Sequence, residues 1–165
     1  MINMKANARD AQSAEIQRII EDTINLPSIN NLDYQKEPIT AAFGLLLLYA
    51  QIYRNAENKE EVFNKIVEII NEIRPFMNFY AQHRKLALFG GLCDLGVSLL
   101  AINKETGTYH NLIESVNEVV ASGVDGKAME LLEKIDSKSI SMRDYDAILG
   151  LSGMLRYLLL TDIDL

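Results

Sequence analysis

The 165-residue sequence predicts a single all-α domain, residues 1–165, built from about three helical-hairpin repeats. Apolar residues recur at helical spacing over most of the chain, and no stretch alternates apolar and polar residues for long enough to form a sheet. A glycine-containing apolar run occurs three times, at residues 38–54, 88–100 and 144–160. A chain of this length can bury one sizeable core. These observations favour one domain of packed helices.

The glycines of the second and third runs share one register. Gly150 follows Gly91 by 59 residues, and the same step places Gly153 opposite Asp94. Glycine inside a helix costs about 1 kcal/mol relative to alanine, so its recurrence where apolar helices begin needs a structural reason. We predict that each repeat has a buried helix opening at the glycine motif and an amphipathic helix returning. The predicted motif and packing residues are Gly90, Gly91, Gly96, Gly150, Gly153 and Tyr145.

The first 37 residues are predicted to form an amphipathic helix and a loop. Asp10 or Ser13 could cap this helix. Residues 26–37 are polar and rich in turn formers. The apolar face of the helix comprises Ile16, Ile19, Ile20 and Ile24.

Three glycine-motif repeats are predicted to fill residues 38–165. A helix beginning at Pro38 is apolar nearly all round and should be buried, and residues 62–73 have the spacing of an amphipathic returning helix. The periodicity breaks from Pro75. The second buried helix should then begin near Gly90 or Gly91 and end by residues 103–107.

The remaining elements complete the second repeat and begin the third. Residues 109–120 predict the second returning helix, which Gly123 is expected to stop. A short helix at 128–135 and a loop at 136–143 should follow. The third buried helix fills the C-terminal part of the sequence.

Charge and hydropathy exclude several function classes. The chain has 23 acidic and 16 basic residues, a net charge of −7, and no lysine or arginine cluster, which argues against binding nucleic acid or an anionic membrane. The longest nearly apolar run is far shorter than the roughly 20 residues of a membrane span, and the first residues lack the apolar core of a secretory signal. A lone cysteine cannot form an internal disulfide, so a cytoplasmic location is expected.

Two of the motifs resemble a known family. DYDAILGLSGMLRYLL at residues 144–159 and LFGGLCDLGVSLL at 88–100 are similar to the repeat motifs of lanthionine synthetase C-like proteins, the lanthipeptide cyclases of lantibiotic biosynthesis. The resemblance extends from Pro38 to the end of the sequence. It implies an α/α toroid with glycine-rich loops gathered at one end, of which this chain would be an incomplete half ring, the N-terminal half of a longer protein. It also implies a precursor peptide and a dehydratase as partners.

The family's chemistry depends on a zinc ion held by two cysteines and one histidine. The zinc activates a peptide thiol, which adds to dehydroalanine or dehydrobutyrine to form a thioether ring. The adjacent Cys-His pair of the family is missing here, so no cofactor and no metal ligand is predicted for this chain, and ring closure by the chain alone is not expected. A different zinc site would need Cys93, His83 and His110 together. The alternative is a small buried thiol and two surface histidines.

Asp146 is the candidate catalytic residue that the resemblance implies. It lies four residues before Gly150, where the family has an aspartate that reaches the active-site cavity and assists proton transfer or positions a neighbouring group. The residues alone leave open that Asp146 or Asp144 caps the third buried helix. Arg156 and Tyr157 are interpreted as snorkelling or surface side chains without a catalytic role.

Two functions of other classes also fit the sequence. Asp94 and Asp146 could form the carboxylate pair of a glycosidase, since α/α toroids host such enzymes, but their predicted separation of about 10 Å is near the outer limit and the chain has no tryptophan to stack on a sugar. The chain could instead be a non-catalytic helical module. A half ring has open edges, which predicts self-association or binding to a protein that completes the ring.

Overall fold

A computed structural model describes residues 38–161, together with Ala14, Glu15, Arg18 and Asp22, which are helical and exposed. The predicted isoleucine face, its caps at Asp10 and Ser13, and the loop at 26–37 lie outside the described residues. Over the described range the chain forms six helices and no strand. These are α1 (Pro38–Asn55), α2 (Lys59–Gln82), α3 (Leu92–Thr106), α4 (His110–Asp136), α5 (Met142–Tyr145) and α6 (Leu151–Leu160).

The three glycine-motif helices, α1, α3 and α6, pack in a row. Helix α3 lies in the middle, contacting α1 on one side and α6 on the other, while α2 and α4 return between them and also contact α3. The core is apolar and includes Phe43, Leu46, Leu95, Leu99 and Leu158. This arrangement confirms the all-α class and the order of buried and returning helices. The α/α toroid and the half ring stay predictions. No helix in residues 38–161 is long and apolar enough to cross a bilayer.

The predicted ends of α3 are confirmed. Gly91 is the N-cap residue, and the helix closes at Gly107, whose φ of 69° is the left-handed conformation that glycine adopts most readily. Pro38 is the first residue of α1, where a proline costs no helical hydrogen bond.

The predicted break at Pro75 is wrong. Helix α2 runs through Pro75 to Gln82. The proline lies on the exposed side of the helix, where water can bond the carbonyl that lacks an N–H partner. Beyond it, Phe76, Met77 and Tyr80 continue the helical spacing and pack against the core. Tertiary packing therefore holds the last turns of α2.

The predicted stop at Gly123 is also wrong, because α4 continues to Asp136 and includes the segment assigned to a separate short helix. Gly123 is buried, and a Cβ on it would overlap the side chain of Leu86. The glycine allows the loop before α3 to lie against α4. The loop expected at 136–143 is shorter than predicted, since α5 begins at Met142.

Tyr157 corrects another expectation, that of a surface side chain. It is fully buried, and its hydroxyl donates a hydrogen bond of 2.5 Å to Asn117 Oδ1 on α4. Its ring occupies the space that a Cβ at Gly96 would fill. Arg156, in contrast, is exposed as predicted. The contact between Gly96 and Tyr157 brings α3 and α6 close together.

Candidate functional site

Two turns that each end in a glycine precede the second and third buried helices. Residues 87–91 and 146–150 each contain three turn residues followed by a glycine in extended conformation, with φ and ψ of −131° and −169° at Gly91 and −98° and −172° at Gly150. A Cβ would lie 2.6 Å from the Ala87 carbonyl oxygen in the first turn and 2.5 Å from the Asp146 nitrogen in the second. Each glycine is therefore required by the backbone four residues earlier.

The two turns lie side by side, and we call residues 87–91 and 146–150 the paired-turn end. The Leu88 N–H donates a hydrogen bond of 2.9 Å to the carbonyl of Ile148, which joins them directly. Gly153 makes room for this contact, because a Cβ there would lie 3.1 Å from the Leu88 Cβ and 2.6 Å from the Ala147 carbonyl oxygen. The repeat thus brings both glycine motifs to one surface.

Asp146 is fixed by the backbone of its own turn. Its Oδ1 accepts hydrogen bonds of 2.6 Å from the N–H groups of Ile148 and Leu149. These two bonds, that of Leu149 first, lower the pKa of the half-buried carboxyl, so it is ionised at neutral pH. Asp146 caps the turn and not α6, which begins at Leu151. An ionised carboxylate in this position can accept a proton or a hydrogen bond, but it cannot donate a proton.

The upstream turn also carries a carboxylate, from a different position. Ala87 occupies the place of Asp146 there, and Asp94 reaches back from α3 so that its Oδ2 accepts the Gly90 N–H at 2.9 Å. Burial raises the pKa of Asp94, and the bond from Gly90 opposes that effect. Both aspartates are thus engaged in local turn structure, which gives no support to the glycosidase alternative.

Asp144 anchors the approach to the second turn. Its Oδ1 accepts a 2.6 Å hydrogen bond from Lys134 Nζ on α4, while its Oδ2 accepts bonds of 2.8 and 2.7 Å from the Ser141 N–H and hydroxyl. This carboxyl therefore caps α5 and not the third buried helix. Lys134 is the largest cause of the lowered pKa of Asp144, followed by Ser141. The ion pair ties α5, and with it the turn of Asp146, to α4.

Asp144→Asn is expected to make the stability of the protein less sensitive to acid. Because the pKa of Asp144 is lower in the folded chain than in the unfolded chain, its contribution is fully present above the unfolded value of about 4 and is lost as the pH falls through the folded value. The difference in urea midpoint between wild type and variant should therefore shrink below about pH 4. The exposed Asp136→Asn is the control. A difference that does not change with pH would contradict the role of the Lys134 pair.

Both turns of the paired-turn end carry exposed apolar side chains. Phe89 is 64% exposed, Ile148 56% and Leu149 48%. Tyr145 is also exposed, and its carbonyl accepts a hydrogen bond from the Ser152 hydroxyl. Sequence reasoning missed this apolar surface, because an apolar residue in a turn gives no signal of whether another element covers it. The paired-turn end therefore combines the Asp146 carboxylate, a charged hydrogen-bond acceptor, with an exposed apolar surface.

The soft and imidazole side chains do not gather into a metal site. Cys93 is fully buried, which raises the pKa of its thiol to about 12 and keeps it protonated. His83 is exposed and stacks on Phe79, while His110 is exposed beside Glu114. Within the described residues no three His, Cys, Asp or Glu side chains are placed to hold a metal ion. The described part of the chain therefore does not fit a catalytic zinc.

Comparison with known proteins decides the family. Residues 38–165 match the lanthionine synthetase C-like protein family. The chain belongs to this family. The resemblance of its glycine motifs is thus confirmed, over the same residues. Nisin biosynthesis protein NisC of Lactococcus lactis subsp. lactis is 29% identical to this lanthionine synthetase C-like chain over 131 residues, which are 79% of the chain and 30% of NisC. No solved structure matches the chain.

Proposed function

We propose that this lanthionine synthetase C-like chain takes part in lanthipeptide cyclisation, in which a peptide cysteine thiol adds to a dehydroalanine or dehydrobutyrine. The observation that carries the proposal is the paired-turn end, which holds the ionised Asp146 together with the exposed side chains of Phe89, Ile148 and Leu149. Family membership supplies the peptide substrate class. A precursor peptide would bind here, and a dehydratase and a cytoplasmic location belong to the same proposal.

The chemistry of ring closure defines what Asp146 would do. The thiol loses a proton, the sulfur attacks the β-carbon of the dehydro residue, and the resulting enolate takes a proton at its α-carbon. The lowered pKa of Asp146 makes it a hydrogen-bond acceptor and leaves final protonation to another group. Two backbone N–H groups hold its Oδ1, so the charge is fixed in place before the peptide binds. We infer that Asp146 orients a proton-bearing group of the substrate or of the complete enzyme.

The residues that hold the zinc would belong to a polypeptide segment other than this sequence. In a complete family member, zinc would lower the pKa of a bound peptide thiol, so that the thiolate forms at neutral pH. The soft and imidazole side chains of this sequence are Cys93, His83 and His110, of which the first is buried and the other two are exposed. The chain would therefore contribute the peptide-facing turns and Asp146, without closing rings alone.

A peptide that contains one dehydroalanine and one cysteine tests this proposal. We expect the chain to bind the peptide, measured by fluorescence anisotropy, but not to consume its thiol, measured by alkylation and mass spectrometry with zinc present. Asp146→Asn should weaken binding severalfold while the melting temperature stays within a few degrees, because the amide oxygen can still accept the two turn N–H bonds. Asp136→Asn is the matched control.

Three outcomes would contradict the proposal. Absence of peptide binding would remove the peptide-facing role. If the Asp146 and Asp136 variants weakened peptide binding equally, the negative charge of Asp146 would act only at long range. Ring closure by the chain alone that is lost in Cys93→Ala would assign a metal or nucleophilic role to Cys93.

A second candidate function, a non-catalytic binding module, draws on apolar side chains at both ends of the helix row. Leu47 and Leu48 of α1 and Leu159 and Leu160 of α6 are exposed large apolar residues. In the toroid that the family implies, these helices would border neighbouring repeats. We expect the chain to self-associate on size-exclusion chromatography with light scattering, and Leu159→Glu to reduce the associated fraction. A protein that stays monomeric at high concentration would contradict self-association through the exposed apolar side chains of α1 and α6.

A further inference from the structure

A pocket of about 430 Å³ lies between α4 and the paired-turn end. One wall is α4 around Gly126, and the opposite wall comes from the two turns through Phe89, Gly90 and Leu149. Leu149 is also the residue whose N–H is bonded to Asp146, so the pocket and the proposed peptide site share a wall. A chain segment bound in the pocket could therefore continue past Asp146.

Most charged groups lining this pocket already have partners. Lys127 Nζ lies 3.0 Å from Glu130 and 3.8 Å from Asp144, and Glu130 also pairs with Lys134 at 2.7 Å. The ammonium of Lys85 lies over two aromatic rings of α2. The carboxylate in the pocket wall is thus neutralised, and two of the three cations are engaged.

The exception is Arg84. Its backbone is fixed in a left-handed conformation, with φ of 48° and its N–H bonded to the Ala81 carbonyl at 3.2 Å. Across residues 38–161, its guanidinium has no hydrogen bond, ion pair or ring contact. A Cβ at Gly126 would lie 2.9 Å from the Arg84 Nη1, so this glycine makes room for the guanidinium against α4. Arg84 is exposed and lines the pocket, so its guanidinium offers N–H donors that no group in residues 38–161 accepts.

We propose that this pocket is a carboxylate subsite for an acidic segment of a peptide. An aspartate or glutamate side chain would form a bidentate pair with Arg84, which matches carboxylate geometry, and a neighbouring apolar side chain would lie against Phe89 and Leu149. The overall charge of −7 would otherwise repel an acidic peptide, so a local unpaired cation is needed to hold one. The subsite rests on the proposed function, because it places the rest of that peptide beside Asp146.

The test uses the full chain and a fluorescein-labelled hexapeptide with one aspartate between two leucines and no cysteine or dehydro residue. Its control is the same peptide with asparagine. By anisotropy, wild type should bind the aspartate peptide about tenfold more tightly, the equivalent of about 1.4 kcal/mol. Arg84→Gln should remove that preference, and Arg74→Gln, which removes an exposed arginine of α2, should keep it. Gly126→Ala, which displaces the guanidinium without removing charge, should reduce the preference.

Equal binding of the two peptides by wild type would overturn the subsite, as would equal losses in the Arg84 and Arg74 variants. These results leave the proposed function standing if the dehydroalanine and cysteine peptide still binds and depends on Asp146. The proposed function fails separately if that second peptide does not bind while the aspartate preference persists.

Discussion

Gly96→Ala is expected to destabilise the protein by about 3 kcal/mol or more, and to prevent folding if the chain is only marginally stable. The new Cβ would overlap the Tyr157 ring, which is completely buried and fixed by its hydroxyl bond to Asn117. The ring has no solvent-facing position to move into. Urea denaturation followed by far-UV circular dichroism measures the loss.

Gly44→Ala is the matched control for this variant. Gly44 is exposed in α1, and a Cβ there would meet nothing within 4 Å. The substitution should therefore raise the free energy of unfolding by about 1 kcal/mol through helix propensity alone. In the double variant of Gly96→Ala with Tyr157→Leu, part of the lost stability should return, because the smaller side chain vacates the overlap. A Gly96→Ala protein as stable as wild type would contradict the packing of α3 on α6.

Gly150→Ala should also destabilise the fold, by about 3 kcal/mol, and should displace Asp146. A Cβ at Gly150 would lie 2.5 Å from the Asp146 nitrogen and 2.8 Å from the Arg143 carbonyl oxygen. These are backbone atoms, so the turn itself must move. We expect a lower urea midpoint and faster hydrogen exchange at the amides of Ile148 and Leu149, which Asp146 now holds.

Gly91→Ala makes the equivalent change in the upstream turn, where the overlapping backbone belongs to Leu86 and Ala87. It should lower stability by a similar amount but leave the hydrogen bonds of Asp146 in place. If Gly150→Ala left the exchange of Ile148 and Leu149 unchanged, or if Gly91→Ala accelerated it as much, the link between Gly150 and Asp146 would be refuted.

The parts of the fold that local chemistry determines could be predicted from the sequence. The 59-residue step from Gly91 to Gly150 identified two turns that each end in an extended glycine, and Gly107 marked the end of α3. The helix ends predicted at Pro75 and Gly123 were wrong, because a helix can continue through either residue when side chains distant in sequence pack against it. For Gly123 that neighbour is Leu86, which no local pattern reveals.

The candidate site, too, could be predicted from the sequence only in part. Resemblance to the family placed Asp146 ahead of the third motif, but its ionised state follows from hydrogen bonds that only the folded turn defines. The burial of Tyr157 depends on the gap that Gly96 leaves on another helix. The lack of a partner for Arg84 follows from where every neighbouring charge lies, and a sequence does not contain that information.

Hydrogen exchange measured with the dehydroalanine and cysteine peptide bound would locate the peptide on the chain. We propose that both glycine turns form one peptide-binding surface around Asp146. We predict slowed exchange in residues 87–91 and 146–150 of the wild type, and much weaker protection in Asp146→Asn at the same peptide concentration. Protection confined to the larger cavity of about 710 Å³ between α2 and α4, with the two turns unchanged, would contradict it.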